Sequence, residues 1–136
     1  MTDGALVAKR LALIETCVAD LRRDARPDQL RSDIREQRFV EHTLQIAIQA
    51  ALDVASHVAS DERLGEPATN RELFDLLASH GWIPPALADT LRRMVGLRNV
   101  LVHGYDDVNL GVVEDVVAHR LDDLLAFVGA IRSRLA

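Results

Sequence analysis

The sequence predicts an all-α protein, an up-and-down bundle of four to five helices. Three observations carry that prediction. Apolar residues recur at intervals of three and four along nearly the whole chain. No stretch alternates apolar and polar residues as a half-buried strand does. Aromatics make up only 4% while Leu, Ala, Val and Arg are abundant, a mix that favours helix over sheet.

The first helix is drawn by Val7, Leu11, Ile14, Val18 and Leu21, which form one apolar stripe. Pro27, in RPDQLRSD, ends the pattern, because its ring cannot continue a helix and it turns Arg26 away from helical angles. Ser32 is the predicted N-cap of a long second helix reaching about Glu62. Arg35 stands where a capping box needs an acid, so the box is absent. Leu44, Ile48, Ala51, Ala55 and Val58 form one apolar row of this helix, and Phe39, Ile46, Ala50 and Val54 another. Between them runs a polar row, Arg38, His42, Gln45, Gln49 and Ser56, which faces either solvent or a cleft.

GEPATN reads as a loop, and Asn70 as the cap of a short helix, RELFDLLASHG. Its inward residues are Leu73, Phe74, Leu76 and Leu77, with Gly81 just past its end. The proline pair of WIPPA suits the start of a fourth helix. That helix carries Leu87, Leu91, Met94, Arg98 and Leu101 along one row and ends or bends near Gly104. After DDVNLG the last helix holds Val113, Val117, Leu121, Leu124, Val128, Ile131 and Leu135.

At 136 residues the chain reads as a single domain, 1–136, long enough to bury a core. Apolar residues at 49% and charged residues at 27% are a globular balance. With 16 basic and 21 acidic residues the net charge is −5, so any nucleic-acid surface has to be local. Cys17, the only cysteine, excludes an internal disulfide and a cysteine-based zinc site, and its helical context suggests a buried hydrophobe. The N-terminus lacks the order of a signal peptide, and no apolar run approaches the ~20 residues that cross a bilayer. A cytoplasmic location with no membrane contact is expected.

Phosphate-binding glycine loops, zinc-helix motifs and nucleophile elbows are missing from the sequence. The five histidines, His42, His57, His80, His103 and His119, show no metal-ligand spacing, and neither a metal nor a cofactor is expected. The stretch GLRNVLVHGYDD stands apart. Arg98 is the one charged member of an apolar row: either a snorkelling or ion-paired arginine, or a guanidinium aimed at a phosphate. His103, five positions on, sits about 140° around an ideal helix from it. For both to reach one ligand, the helix bends near Gly96 or Gly104, or the two side chains meet across the two-fold axis of a dimer.

The stretch MVGLRNVLVHGYDDV resembles the Arg-x4-6-His signature of the HEPN superfamily. It looks most like the HepT-type subfamily of HEPN/MNT (type VII) toxin–antitoxin systems, whose motif is Arg-x4-His-x-Tyr. Arg98, His103 and Tyr105 match it position for position, and Asn99 is the polar residue often found after the arginine. The likeness extends from about Ile34 to about Asn109, with the outer helices matched by position and length only. The resemblance implies a homodimer or higher homo-oligomer and a metal-independent endoribonuclease used as a toxin. It also implies a minimal nucleotidyltransferase (MNT) antitoxin that adds AMP to Tyr105.

The residue types fit that chemistry. Cleavage through the RNA 2′-hydroxyl needs proton transfer, which His103 supplies, and neutralisation of the phosphorane, which Arg98 supplies. Asn99 orients or hydrogen-bonds either one. Arg92 and Arg93 offer a local positive patch or simply face water, and Arg38 and His42 are further candidate RNA contacts. Tyr105 either packs at a helix end or serves as the AMP acceptor. Two other functions fit the same residues: a non-catalytic nucleotide- or RNA-binding module acting with a nucleotidyltransferase, and a structural adaptor in which Arg98 and His103 fix a dimer.

Overall fold

Asp3 opens the first helix, its carboxylate accepting from the backbone N–H groups of Ala5 and Leu6 at 3.1 and 3.2 Å. The computed structural model of the chain describes residues 3–103 and 108–135. Helix α1 (Gly4–Asp24) buries Val7, Leu11, Ile14, Val18 and Leu21, the expected stripe, together with Cys17. Burial raises the Cys17 thiol above its ordinary pKa, which suits a packing role rather than a nucleophile. A 3-10 turn at Pro27–Gln29 follows.

Helix α2 (Ile34–Asp61) is the central element. Its N-cap is Asp33, not Ser32: the Asp33 carboxylate accepts from Arg35 N–H at 2.9 Å, whereas the Ser32 hydroxyl turns back to the Gln29 carbonyl. Its C-terminus closes in the pattern usual for glycine, with Leu64 N–H donating to the Ala59 carbonyl at 2.9 Å and Arg63 N–H to that of Ser60 at 3.2 Å. Arg63 occupies the left-handed position there, with φ of 54°. Arg63→Gly is therefore expected to raise stability by about 0.5–1 kcal/mol, the relieved strain exceeding the entropy that glycine adds to the unfolded chain. Chemical denaturation checks this; an unchanged or lower midpoint means that the Arg63 side chain outweighs the strain.

Helix α3 (Glu72–Ser79) begins without the expected Asn70 cap. Arg71 holds the N-cap position in helical conformation, and the Glu72 carboxylate instead reaches back to Ala68 N–H at 2.7 Å. Gly81, at φ 78°, ends it as expected. Of the four predicted inward residues Leu73, Phe74 and Leu77 are buried and Leu76 is half-buried. Helix α4 (Pro85–His103) starts on the second proline and runs without a break through Gly96.

The last helical stretch comprises α5 (Leu110–Asp115), a π turn (Val116–Arg120) and α6 (Leu121–Leu135). Asn109 caps it, accepting from Gly111 and Val112 N–H. The regular helix expected here is interrupted because its buried residues step from Val116 to Leu121. A π turn, with bonds spanning five residues, absorbs that gap and keeps both on the core side. Among the described residues the structure has helices and no strand. Helix α2 packs against α1, α3, α4 and α6, and α1 against α6. Phe74 of α3 meets Phe127 of α6 edge to face, with centroids 5.8 Å apart. Arg132 of α6 donates to Glu15 of α1 at 2.9 Å, an exposed tie that lowers the Glu15 carboxyl pKa.

Candidate functional site

Helix α4 carries the signature residues on two of its faces. Arg98 follows Leu91 and Met94 along the inward row and is half-buried, and its Nη1 donates to Asn99 Oδ1 at 3.0 Å. His103 is exposed at the last residue of the helix. The helix is continuous through Gly96, and on a regular helix the five-residue step leaves Arg98 and His103 about 140° apart. Asn99 and His103, four residues apart, share a face, along which Val100 is 39% exposed.

Gly96 lies one turn back from Asn99 and Val100, and its role is to leave room rather than to bend the helix. A Cβ added there would stand 3.1 Å from a terminal guanidinium nitrogen of Arg71. The loop thus lays a cation against the outer face of α4. Sequence reasoning missed Arg71, since nothing in the residues around it signals this contact.

On its inward side Arg98 borders a cleft of about 280 Å³ between α1, α2 and α4. Gln45 and Gln49 of the α2 polar row line it, joined by Asp53 and by Arg10 of α1. Gln49 donates to Asp53 at 2.9 Å, and Arg10 stands 3.8 Å from the other Asp53 oxygen. Two atoms of this group, Arg98 Nε and Gln49 Oε1, are buried without a hydrogen-bond partner among the described residues. Arg10, Gln49 and Asp53 were not singled out as site residues from sequence, although Gln49 belongs to the polar row whose period was legible.

His42 and Arg38 lie one and two turns before Gln45 on α2, both exposed. They line a larger groove of about 820 Å³ that also contains Phe39, Glu41 and Leu101 of α4. Gln45 borders both this groove and the Arg98 cleft, so the two adjoin along α2. Burial pushes the Glu41 carboxyl above its ordinary pKa, and the Arg38 charge opposes that shift.

Arg92 and Arg93 are not a free cationic patch. Arg92 donates to Asp89 at 2.6 Å and lies 3.6 Å from Asp75, and Arg93 is 3.2 Å from Asp89. The hydrogen bond from Arg92, then the Arg93 charge, holds the Asp89 carboxyl below its ordinary pKa. These pairs are exposed, so a polyanion can compete for the arginines, but Asp75 and Asp89 already offset their charge. Tyr105 lies outside the described residues. Among the described residues no three His, Cys, Asp or Glu side chains converge as metal ligands.

Chemically, the arrangement offers an arginine held by an amide, an exposed histidine one turn beyond, and a cleft lined by amides. The family described as "Ribonuclease HepT-like" matches residues 11–131. The chain is 34% identical over 129 residues to the mRNA nuclease HepT of Shewanella oneidensis, covering 94% of this chain and 97% of the relative. It is 32% identical over 135 residues to the tRNA nuclease HepT of Aphanizomenon flos-aquae, covering 98% and 92%. It also superimposes on the tri-AMPylated Shewanella oneidensis HEPN toxin solved in complex with its MNT antitoxin. That match has a TM-score of 0.89 at 34% identity and covers 98% of this chain and 99% of the other.

Proposed function

The chain belongs to the Ribonuclease HepT-like family, and from that premise we propose that it is an endoribonuclease toxin, held silent by a nucleotidyltransferase antitoxin. The observation that carries the reading is the Arg98–Asn99 pair, half-buried at the wall of a cleft on the helix that ends in His103. The relatives are nucleases of mRNA and tRNA, and one is AMPylated and bound to an MNT antitoxin. The substrate class here is RNA, and the partner is an antitoxin of the same kind. The reading places the chain in the cytoplasm; no described helix is long and apolar enough to cross a membrane.

Because Arg98 and His103 diverge on one straight helix, the active form is a homodimer in which two copies of α4 face each other. Asn99, Val100 and His103 share that face, and the Arg71 guanidinium laid over Gly96 borders it. His103 takes the proton of the 2′-hydroxyl as its oxygen attacks the adjacent phosphorus. The bond from phosphorus to the 5′-oxygen breaks, and the partner subunit's His103 gives that leaving oxygen a proton. Arg98 neutralises the charge that gathers on the phosphoryl oxygens, and Asn99 fixes the guanidinium for it. Arg38 and His42 hold the RNA further along α2, and Arg92 and Arg93 contribute weakly while paired to Asp89. Tyr105 is the AMP acceptor.

The test is RNA cleavage by the purified, unmodified chain in excess EDTA. Products ending in a 2′,3′-cyclic phosphate are expected, at a rate indifferent to the chelator. The divergence of Arg98 and His103 also favours a second reading, a module that binds RNA or nucleotides without cutting them. Binding of tRNA and mRNA fragments with no cleavage by confirmed unmodified protein would establish that second reading and end the first.

A further inference from the structure

The cleft on the inward side of Arg98 is more than the back of a catalytic arginine. Its lining divides by chemistry. Leu13, Ile46 and Ala50 are its apolar residues, Gln45, Gln49 and Asp53 its amides and carboxylate, and Arg10 and Arg98 its cations. Phosphate is an incomplete occupant: Arg10 stands by Asp53 and offsets its charge, but an anionic phosphate brings acceptors and leaves the Gln49 carbonyl oxygen without a donor. The two orphaned atoms are one acceptor, Gln49 Oε1, and one donor, Arg98 Nε–H. Leaving such atoms unpaired is costly, and both are shut from solvent, so an occupant presenting one donor and one acceptor relieves them as the two side chains turn into the cleft. The edge of a nucleobase presents that combination, and glutamine and arginine are side chains that read base edges; here each has one orphaned atom to offer, since the Gln49 amide nitrogen donates to Asp53. At about 280 Å³ the cleft is at the lower end of small-ligand sites, the scale of one planar base rather than of a docked helix.

We propose that this cleft is a nucleobase subsite, taking the base next to the phosphate that Arg98 holds; it rests on the ribonuclease reading above. The ring lies against Leu13, Ile46 and Ala50, and its edge bonds to Gln49 and to Arg98 Nε–H. The guanidinium then serves two groups, Nε–H the base and its terminal nitrogens the phosphate. Gln45 marks the passage to the groove of Arg38 and His42, where the strand continues. Gln49 is thus a specificity-determining residue, and the preferred base is set by α2 rather than by the signature on α4.

The experiment measures binding of short single-stranded 2′-O-methyl oligonucleotides, which lack the nucleophilic hydroxyl and stay intact on the protein. Oligonucleotides differing at one base, or abasic at one position, are titrated against the wild-type chain, Gln49→Leu and Gln49→Glu. Removing the recognised base is expected to weaken wild-type binding about 10-fold or more, and Gln49→Leu binding by less than about twofold. Gln49→Glu, of nearly the same shape, shifts preference toward bases with an exocyclic amine and away from uracil, which has none. Should Gln49→Leu fold poorly, Gln49→Glu decides alone.

Unchanged base discrimination in the variants overturns the subsite. So does a Gln49 variant that binds every oligonucleotide like wild type but no longer dimerises or no longer binds its antitoxin, which would make the cleft a protein contact. The two proposals fail separately. A chain that discriminates bases yet cuts no RNA strikes only the catalytic reading, and one that cuts RNA but ignores the abasic position strikes only the subsite.

Discussion

His103→Ala is expected to lower RNA cleavage by about 10²–10⁴-fold, the usual loss when a general acid or base is removed. The melting temperature should stay near wild type, because His103 is exposed at the end of α4 and its ring fills no part of the core. That separation makes the substitution informative. A structural adaptor in which His103 fixes the dimer predicts the opposite pattern, an altered assembly with no catalytic rate to lose. If both copies of His103 act on one phosphate, mixing wild-type and mutant chains gives heterodimers with less than half the activity. The pH profile supplies a further check, since a base and an acid acting together give a bell that the variant should flatten. Arg98→Lys tests the other half of the motif. Lysine keeps the charge but loses the planar fork, so a large loss there assigns Arg98 a directional role rather than a general attraction for RNA. Cleavage by His103→Ala at the wild-type rate would remove the motif from the mechanism.

The helices were legible because their signal is local and repeated. Val7, Leu11, Ile14, Val18 and Leu21 announce one face of α1 without help from the rest of the chain, and all five are buried. Helix ends were less legible, because a cap is one hydrogen bond chosen among neighbours. Ser32 and Asp33 both suit a cap, and the carboxylate took the backbone N–H while the hydroxyl turned away. At α3 the Glu72 side chain satisfied the entering loop in place of Asn70. The π turn was hidden because a gap of five in the buried row looks, in sequence, like a regular helix with Val117 inside it.

The candidate site divides in the same way. Arg98, Asn99 and His103 stood out because polar residues interrupt an apolar row. The period of the α2 polar row was legible too, but not the face it meets. That depends on where α1 and α4 dock: Asp53 sits one turn from Gln49 on α2 itself, but only docking brings Arg10 and Arg98 beside them. Arg71 over Gly96 is a contact between a loop and a helix, with no periodic trace in either. The pairing of Arg92 and Arg93 with Asp89 is legible as helical spacing, at three and four residues, and it argues against counting those arginines as free charge.

Tyr105→Phe is expected to cut RNA at close to the wild-type rate yet to arrest growth even when the antitoxin is supplied. The hydroxyl is the only difference between the two side chains, so a phenylalanine keeps the ring while removing the acceptor oxygen. In the proposed modification that oxygen attacks the α-phosphorus of ATP, pyrophosphate leaves, and a negatively charged phosphodiester remains two residues beyond His103 in sequence. Its charge is of the kind that Arg98 is proposed to hold in the substrate, so the modified chain carries its own competitor for the guanidinium. Silencing by this route is covalent and survives dilution. Silencing by masking needs the antitoxin present above its dissociation constant, and is lost when the complex is diluted. Wild-type chain purified away from its antitoxin should therefore remain inactive and heavier by whole AMP units, while Tyr105→Phe purified in the same way is unmodified and active. If the antitoxin still silences Tyr105→Phe completely, and activity returns on dilution, then the interface itself blocks the RNA and the tyrosine is not the switch.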